Sequence, residues 1–158
     1  MRQKDKDNKL GILDVRVLLN NKEQIDIEIQ VTSSEYWAER TLFYLGKMFV
    51  DQLKPGEDYQ KLEKCIHVGI LNFTLFDDEE YYSRFHFWSD QGRKMYSDKF
   101  EIHTLELPKL AKHEYPETEL LKWLQFINAE TKEEFEMAAE KSEYIKKAYE
   151  DLNRISAD

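Results

Sequence analysis

At 158 residues and 19.0 kDa the chain is long enough for one domain with an appendage, and its core needs no covalent staple. A net charge of −9 and a pI near 5.0 argue against broad nonspecific affinity for nucleic acid, which depends on clustered lysine and arginine. The single cysteine, Cys65, excludes an intrachain disulfide and a cysteine zinc site. With no apolar run near the ~20 residues of a membrane helix and no signal-peptide core, a cytoplasmic protein without a membrane partner is expected.

Met1 to Lys9 is charged, lacks apolar periodicity and reads as a mobile lead-in. Ile12 to Leu19 alternates, Asn20-Asn21-Lys22 reads as a turn, and Gln24 to Val31 alternates again, which predicts a β-hairpin. In the register whose paired numbers sum to 42, Leu13, Val15 and Val17 face Ile29, Ile27 and Ile25 on an apolar side. On the polar side Arg16 lies opposite Asp26, and Asp14 lies opposite Glu28 with Gln30 one step along. Cross-strand acids have Cβ atoms roughly 4.5–5.5 Å apart and destabilise the sheet unless something compensates them. A divalent cation does so, and Mg²⁺ typically takes one or two carboxylates and completes its shell with water and phosphate oxygens. The alternative is a solvated face on which salt screens the repulsion; geometry alone leaves both readings open.

Thr32-Ser-Ser-Glu35 has the capping-box pattern and predicts a helix from about residue 33 to residue 53, ended by Lys54-Pro55-Gly56. Tyr36, Arg40 and Tyr44 share one face of it, while Trp37, Leu45 and Met48 occupy another and are assigned to the core. Arg40 is a candidate to reach a phosphate or to orient Glu28, with Tyr44 as its hydrogen-bond partner. An ordinary salt bridge beside packed rings explains the same residues. The apolar stretch Cys65 to Phe76 predicts a central strand reached by a crossover, in which Cys65 is an inert buried thiol.

Tyr82 to Trp88 and Phe100 to Leu107 extend the sheet around a turn at Asp90-Gln-Gly-Arg93, and Phe85, Phe87 and Trp88 are assigned to packing. His67, His86, His103 and His113 share no close metal-ligand spacing, so a histidine metal site is not expected. Glu117 to Asn128 and Thr131 to Ile155 predict two amphipathic helices.

The ordered set Asp14, Ile25-Asp-Ile-Glu-Ile-Gln30, Arg40-Thr-Leu-Phe-Tyr44, Gln52-Leu-Lys-Pro-Gly-Glu-Asp-Tyr59, Ile70-Leu-Asn-Phe73, Leu105-Glu-Leu-Pro-Lys109 and Phe126 to Phe135 resembles the PD-(D/E)XK nuclease superfamily. Within it, the chain is most similar to the recombination-promoting nuclease and transposase branch. The resemblance implies an α/β, restriction-endonuclease-like mixed sheet with a flanking helix, a core over 1–115 and a C-terminal helical appendage over 116–158. It further implies Mg²⁺-dependent hydrolysis of DNA, with Mn²⁺ as a substitute. Asp14 and Glu28 would hold the metal, Gln30 would stand where the superfamily has lysine, and Arg40 and Tyr44 would meet the substrate. Glutamine offers a dipole where lysine offers a charge, so the metal must do more of the electrostatic work.

Relatives place a helix and a strand before the Asp14 strand, the helix adding an acidic residue near the metal, and only thirteen residues precede Asp14 here. The core is therefore expected to lack its first helix and strand. An exposed sheet edge of that kind makes a homodimer an expectation. Acid is concentrated in Asp77 to Glu80 and beyond Glu130, whereas Arg2, Lys4, Lys6, Lys9 and Arg16 lie near the hairpin and offer a local positive rim. Two functions follow: a metal-dependent DNA endonuclease of mobile-element type, or a non-catalytic remnant of the same fold serving as an interaction module.

Overall fold

Asn20 and Asn21 take φ of 52° and 57°, the left-handed conformation that a type I′ turn requires and asparagine tolerates. Lys22 N closes the turn on Leu19 O at 3.0 Å. That turn joins β1 (Ile12–Leu19) to β2 (Glu23–Gln30) in the antiparallel register read from the sequence, with Asp14 opposite Glu28 and Arg16 opposite Asp26. The computed structural model describes residues 12–157; the lead-in Met1 to Lys9 lies outside them.

Contacts group the chain into two units, one up to Lys109 and one from Leu110. The first holds a five-stranded mixed sheet of order β1-β2-β3-β5-β4, with β3 at Cys65–Leu71, β4 at Tyr82–Trp88 and β5 at Met95–Glu106. β2, β3 and β5 run parallel and the two edge strands antiparallel to them. As expected, β3 is central and buried along nearly its whole length, and α1 (Trp37–Val50) is the crossover that reaches it from β2. Leu45 and Met48 of α1 pack on Cys65, with Phe49, Phe100 and Ile102 around them. Burial of each large side chain contributes about 1.5–3 kcal/mol. Cys65 is buried as expected, and burial pushes its thiol up to about 11.

β5 begins at Met95, five residues before the expected Phe100, and α1 ends at Val50 rather than near residue 53. Three further boundaries differ from expectation, each for a local reason. The helix starts at Trp37 rather than near residue 33: Tyr36 is its N-cap without a side-chain bond, and Ser34 Oγ instead accepts from Tyr36 N at 3.4 Å in a preceding turn. β3 stops at Leu71 rather than Phe76, because the buried Glu106 carboxylate takes the amides of Leu75 (2.6 Å) and Phe76 (3.1 Å) out of the ladder. The long C-terminal helix is two, α3 (Lys132–Glu140) and α4 (Glu143–Ala157). Ser142, a good N-cap residue, offers its carbonyl to Lys146 N and restarts the helix.

In the second unit α2 (Glu119–Ile127) is capped by Thr118 and α3 by a complete capping box between Thr131 and Glu134. Leu121, Leu124, Ala138, Ala139 and Ile145 are buried, and Phe135 stacks on Tyr149 at 5.9 Å.

Candidate functional site

Alternate residues of a strand share a face, so Asp26, Glu28 and Gln30 of β2 point together. They point inward. Each is 5% exposed or less, while Ile25, Ile27 and Ile29 on the opposite face are only half-buried. The polar row, not the apolar one, lies on the α1 side of the sheet, because the helix brings a cation to it. Arg40 NH1 stands 2.9 Å from Glu28 Oε1 as an ion pair, and its N–H is aligned on Gln30 Oε1 at 3.2 Å. Gln30 Nε2 in turn donates to Thr32 O at 3.0 Å. Tyr44 meets Arg40 through its ring, the guanidinium carbon lying 5.5 Å from the centroid. The solvated-face reading therefore does not hold for Glu28 and Gln30. Asp14 alone of the expected triad is exposed, on the edge strand directly across from Glu28.

Two residues of this cluster were not expected. The parallel pairing of β2 with β3 sets Asp26 beside His67 and Glu28 beside Gly69. His67, fully buried, has Nε2 at 3.3 Å from Glu28 Oε2 and 3.7 Å from Asp26 Oδ2. One donor atom from each of Asp26, Glu28 and His67 lies within 4.8 Å of the other two. The four histidines share no close spacing in the chain, and the proximity here comes from strand pairing. A signal was nonetheless present, since His67 is the only polar side chain in Cys65-Ile-His-Val-Gly-Ile-Leu71.

The electrostatics follow from burial. Asp26 is pushed up to about 7, first by desolvation and then by the carboxyl of neighbouring Asp14, against the pull of His67 and Arg16. Arg16 counts for little because its Nε stays 4.0 Å from Asp26 Oδ1 and its side chain is largely in solvent. Trp37 closes the cluster from above, edge-on to His67 at 5.8 Å. Gly69 makes that possible: a Cβ there would come within 2.6 Å of Trp37 Cζ2.

Two other polar clusters of the first unit are fully paired. Glu101 receives His86 Nε2 at 2.8 Å, His103 Nε2 at 2.5 Å and Lys64 Nζ at 3.3 Å. Burial opposes its charge, yet these bonds overcome it and bring the carboxyl down to about 2. Lys109 Nζ binds Asp78 Oδ1 at 2.7 Å, Glu80 O at 3.0 Å and Glu106 Oε2 at 3.0 Å, which ties the segment between β3 and β4 to the end of β5.

A mixed sheet with a β-hairpin, a crossover helix and clustered acids on one face defines a restriction-endonuclease-like α/β protein. The chain belongs to the family described as PD-(D/E)XK nuclease family transposase, whose model matches residues 1–158. Among curated proteins and solved structures, nothing matches it significantly. Membership gives it a nuclease- or transposase-type function with DNA as the substrate class, and nucleases of this superfamily generally use divalent metals. The donor set fits such an ion, with hard carboxylate oxygens and an imidazole converging from β2 and β3. No helix among the described residues is long and apolar enough to cross a membrane.

Proposed function

We propose that the chain is a divalent-metal-dependent DNA endonuclease of mobile-element type, using Mg²⁺ or Mn²⁺, in which Asp14 and Glu28 hold the metal and Gln30 replaces the superfamily's lysine. The observation that supports this reading is the placement of Asp14 directly across from Glu28, on the strand face that also carries Gln30. When bound, the metal would polarise a phosphoryl oxygen and acidify its water. The chain's own contribution is orientation. Arg40 holds one oxygen of Glu28 and leaves Oε2 facing the cluster, and it fixes the Gln30 amide through the same guanidinium. Asp14, on the exposed edge strand, is the carboxylate an incoming phosphodiester meets first, with Arg40 and Tyr44 behind it on α1.

One observation favours a second reading. Glu28 and Gln30 are buried and both held by Arg40, as in a structural ion-pair cluster, which makes the chain a non-catalytic interaction module of the same fold. Nicking of supercoiled plasmid with Mg²⁺ or Mn²⁺ decides between them. Cleavage by the parent chain that is lost in both Asp14→Ala and Glu28→Ala supports the endonuclease. Cleavage by neither parent nor variants, or equally by all three, overturns it.

A further inference from the structure

We propose that Asp26, Glu28 and His67 form a metal centre that takes a borderline first-row ion, Mn²⁺ or Zn²⁺, in preference to Mg²⁺. This deepens the reading above and rests on it only in sharing Glu28.

The geometry leads there first. A metal about 2.0–2.2 Å from each nitrogen and oxygen ligand holds those donors about 3–3.5 Å apart. His67 Nε2 already lies 3.3 Å from Glu28 Oε2 and 3.7 Å from Asp26 Oδ2. The widest separation in the set is within 4.8 Å, so closure around an ion asks only for small side-chain rotations from two adjacent, hydrogen-bonded strands.

The cluster also leaves buried polar atoms without partners. Two acidic side chains are buried here; Arg40 pairs with Glu28 and reaches Gln30, while Arg16, largely in solvent, comes only to 4.0 Å of Asp26. Asp26 Oδ1 is shielded from solvent and hydrogen-bonds nothing among the described residues. The same is true of His67 Nδ1. With Nδ1 protonated, that buried N–H has no acceptor and the Nε2 lone pair faces two carboxylates. With Nε2 protonated, Nδ1 is left as a buried acceptor without a donor. An ion on Nε2 removes the lone-pair conflict and neutralises the carboxylates together.

Ligand chemistry then selects the ion. Carboxylate and water suit Mg²⁺ and Mn²⁺ alike, but imidazole shifts preference along the series towards Zn²⁺. Arg40 acts as the positioning residue, since its hold on Oε1 turns Oε2 towards His67. Asp14, exposed and adjacent to Asp26, marks the side from which the ion and its waters enter.

The test is pulsed EPR on the full chain loaded with Mn²⁺, beside calorimetric titrations with Mn²⁺, Zn²⁺ and Mg²⁺. The expected results are a ¹⁴N modulation from a directly bound imidazole, affinity rising from Mg²⁺ to Zn²⁺, and a loss of about tenfold or more in Mn²⁺ and Zn²⁺ affinity for Asp26→Asn and His67→Gln. The spectrum of the parent chain stands by itself if either variant misfolds. Absence of Mn²⁺ and Zn²⁺ binding by the parent chain overturns the proposal. So does a bound ion without nitrogen coupling, or one lost in Asp14→Asn but retained by His67→Gln. An ion bound through nitrogen in a chain that does not nick DNA sustains this centre and sinks the endonuclease reading. Nicking supported by an ion without nitrogen coupling does the reverse.

Discussion

Gly69→Ala tests how the cluster is closed. The added Cβ would stand 2.6 Å from Trp37 Cζ2 and 3.4 Å from Leu71 Cδ2, and Trp37 is buried edge-on against both His67 and Phe73. Carbon atoms sit comfortably about 3.5–4.0 Å apart, so the indole must retreat by about 1 Å from its present seat. Overpacking of this kind costs about 1–3 kcal/mol, which lowers Tm by about 3–10 °C at this chain length. Trp37 opens α1 and Arg40 lies one turn further along, so the shift also loosens the hold on Glu28 and Gln30. Urea unfolding of the parent, Gly69→Ala, Trp37→Phe and the double variant gives the coupling. Phenylalanine lacks the atom that clashes, so the alanine is expected to cost at least about 1 kcal/mol less in the Trp37→Phe background. If Gly69→Ala lies within about 0.5 kcal/mol of the parent, or costs the same in both backgrounds, the close approach of indole and glycine is not what shapes this site.

Arg40→Ala leaves Glu28 as a buried charge without its cation and is expected to cost about 3–5 kcal/mol in urea unfolding, with Arg40→Lys recovering only part because a lysine ammonium does not reproduce the planar guanidinium whose NH1 meets both Glu28 and Gln30 and whose face lies on Tyr44; unchanged stability would refute the anchoring role. Asp26 has its folded pKa raised from 3.8 to about 7, so the fold favours its protonated form. Its contribution is fully present below the unfolded value and is lost as pH rises through 7. The unfolding free energy of the metal-free parent should therefore fall relative to Asp26→Asn across that window, and parallel pH curves would show that Asp26 is not perturbed. Glu101 is the opposite case, lowered from 4.5 to about 2, so its contribution is present above the unfolded value and is lost as pH falls through 2. Glu101→Gln should remove that part of the acid sensitivity, read as the difference in Tm between near-neutral and strongly acidic buffer. A variant as acid-sensitive as the parent would count against the pairing with His86, His103 and Lys64.

Strand alternation and turn chemistry are local properties of the backbone, and what depends on them was legible. The paired asparagines set the hairpin, its register followed from apolar and polar parity, and that parity placed Asp14 across from Glu28 before any fold was known. The helix face carrying Arg40 and Tyr44 follows from helical periodicity, and the central place of β3 from its near-continuous apolar run. Which face of β2 turns inward is not local, because both faces are regular rows and the crossover helix chooses between them. By lying over the polar row with Arg40, α1 made Asp26, Glu28 and Gln30 interior residues. In the sequence Asp26 is the cross-strand partner of Arg16 and His67 one of four histidines without metal-ligand spacing, and neither residue carries a chain neighbour that announces the other. Parallel pairing of β2 with β3 brought them to 3.7 Å, since adjacent parallel strands juxtapose residues distant in sequence and only the tertiary register says which.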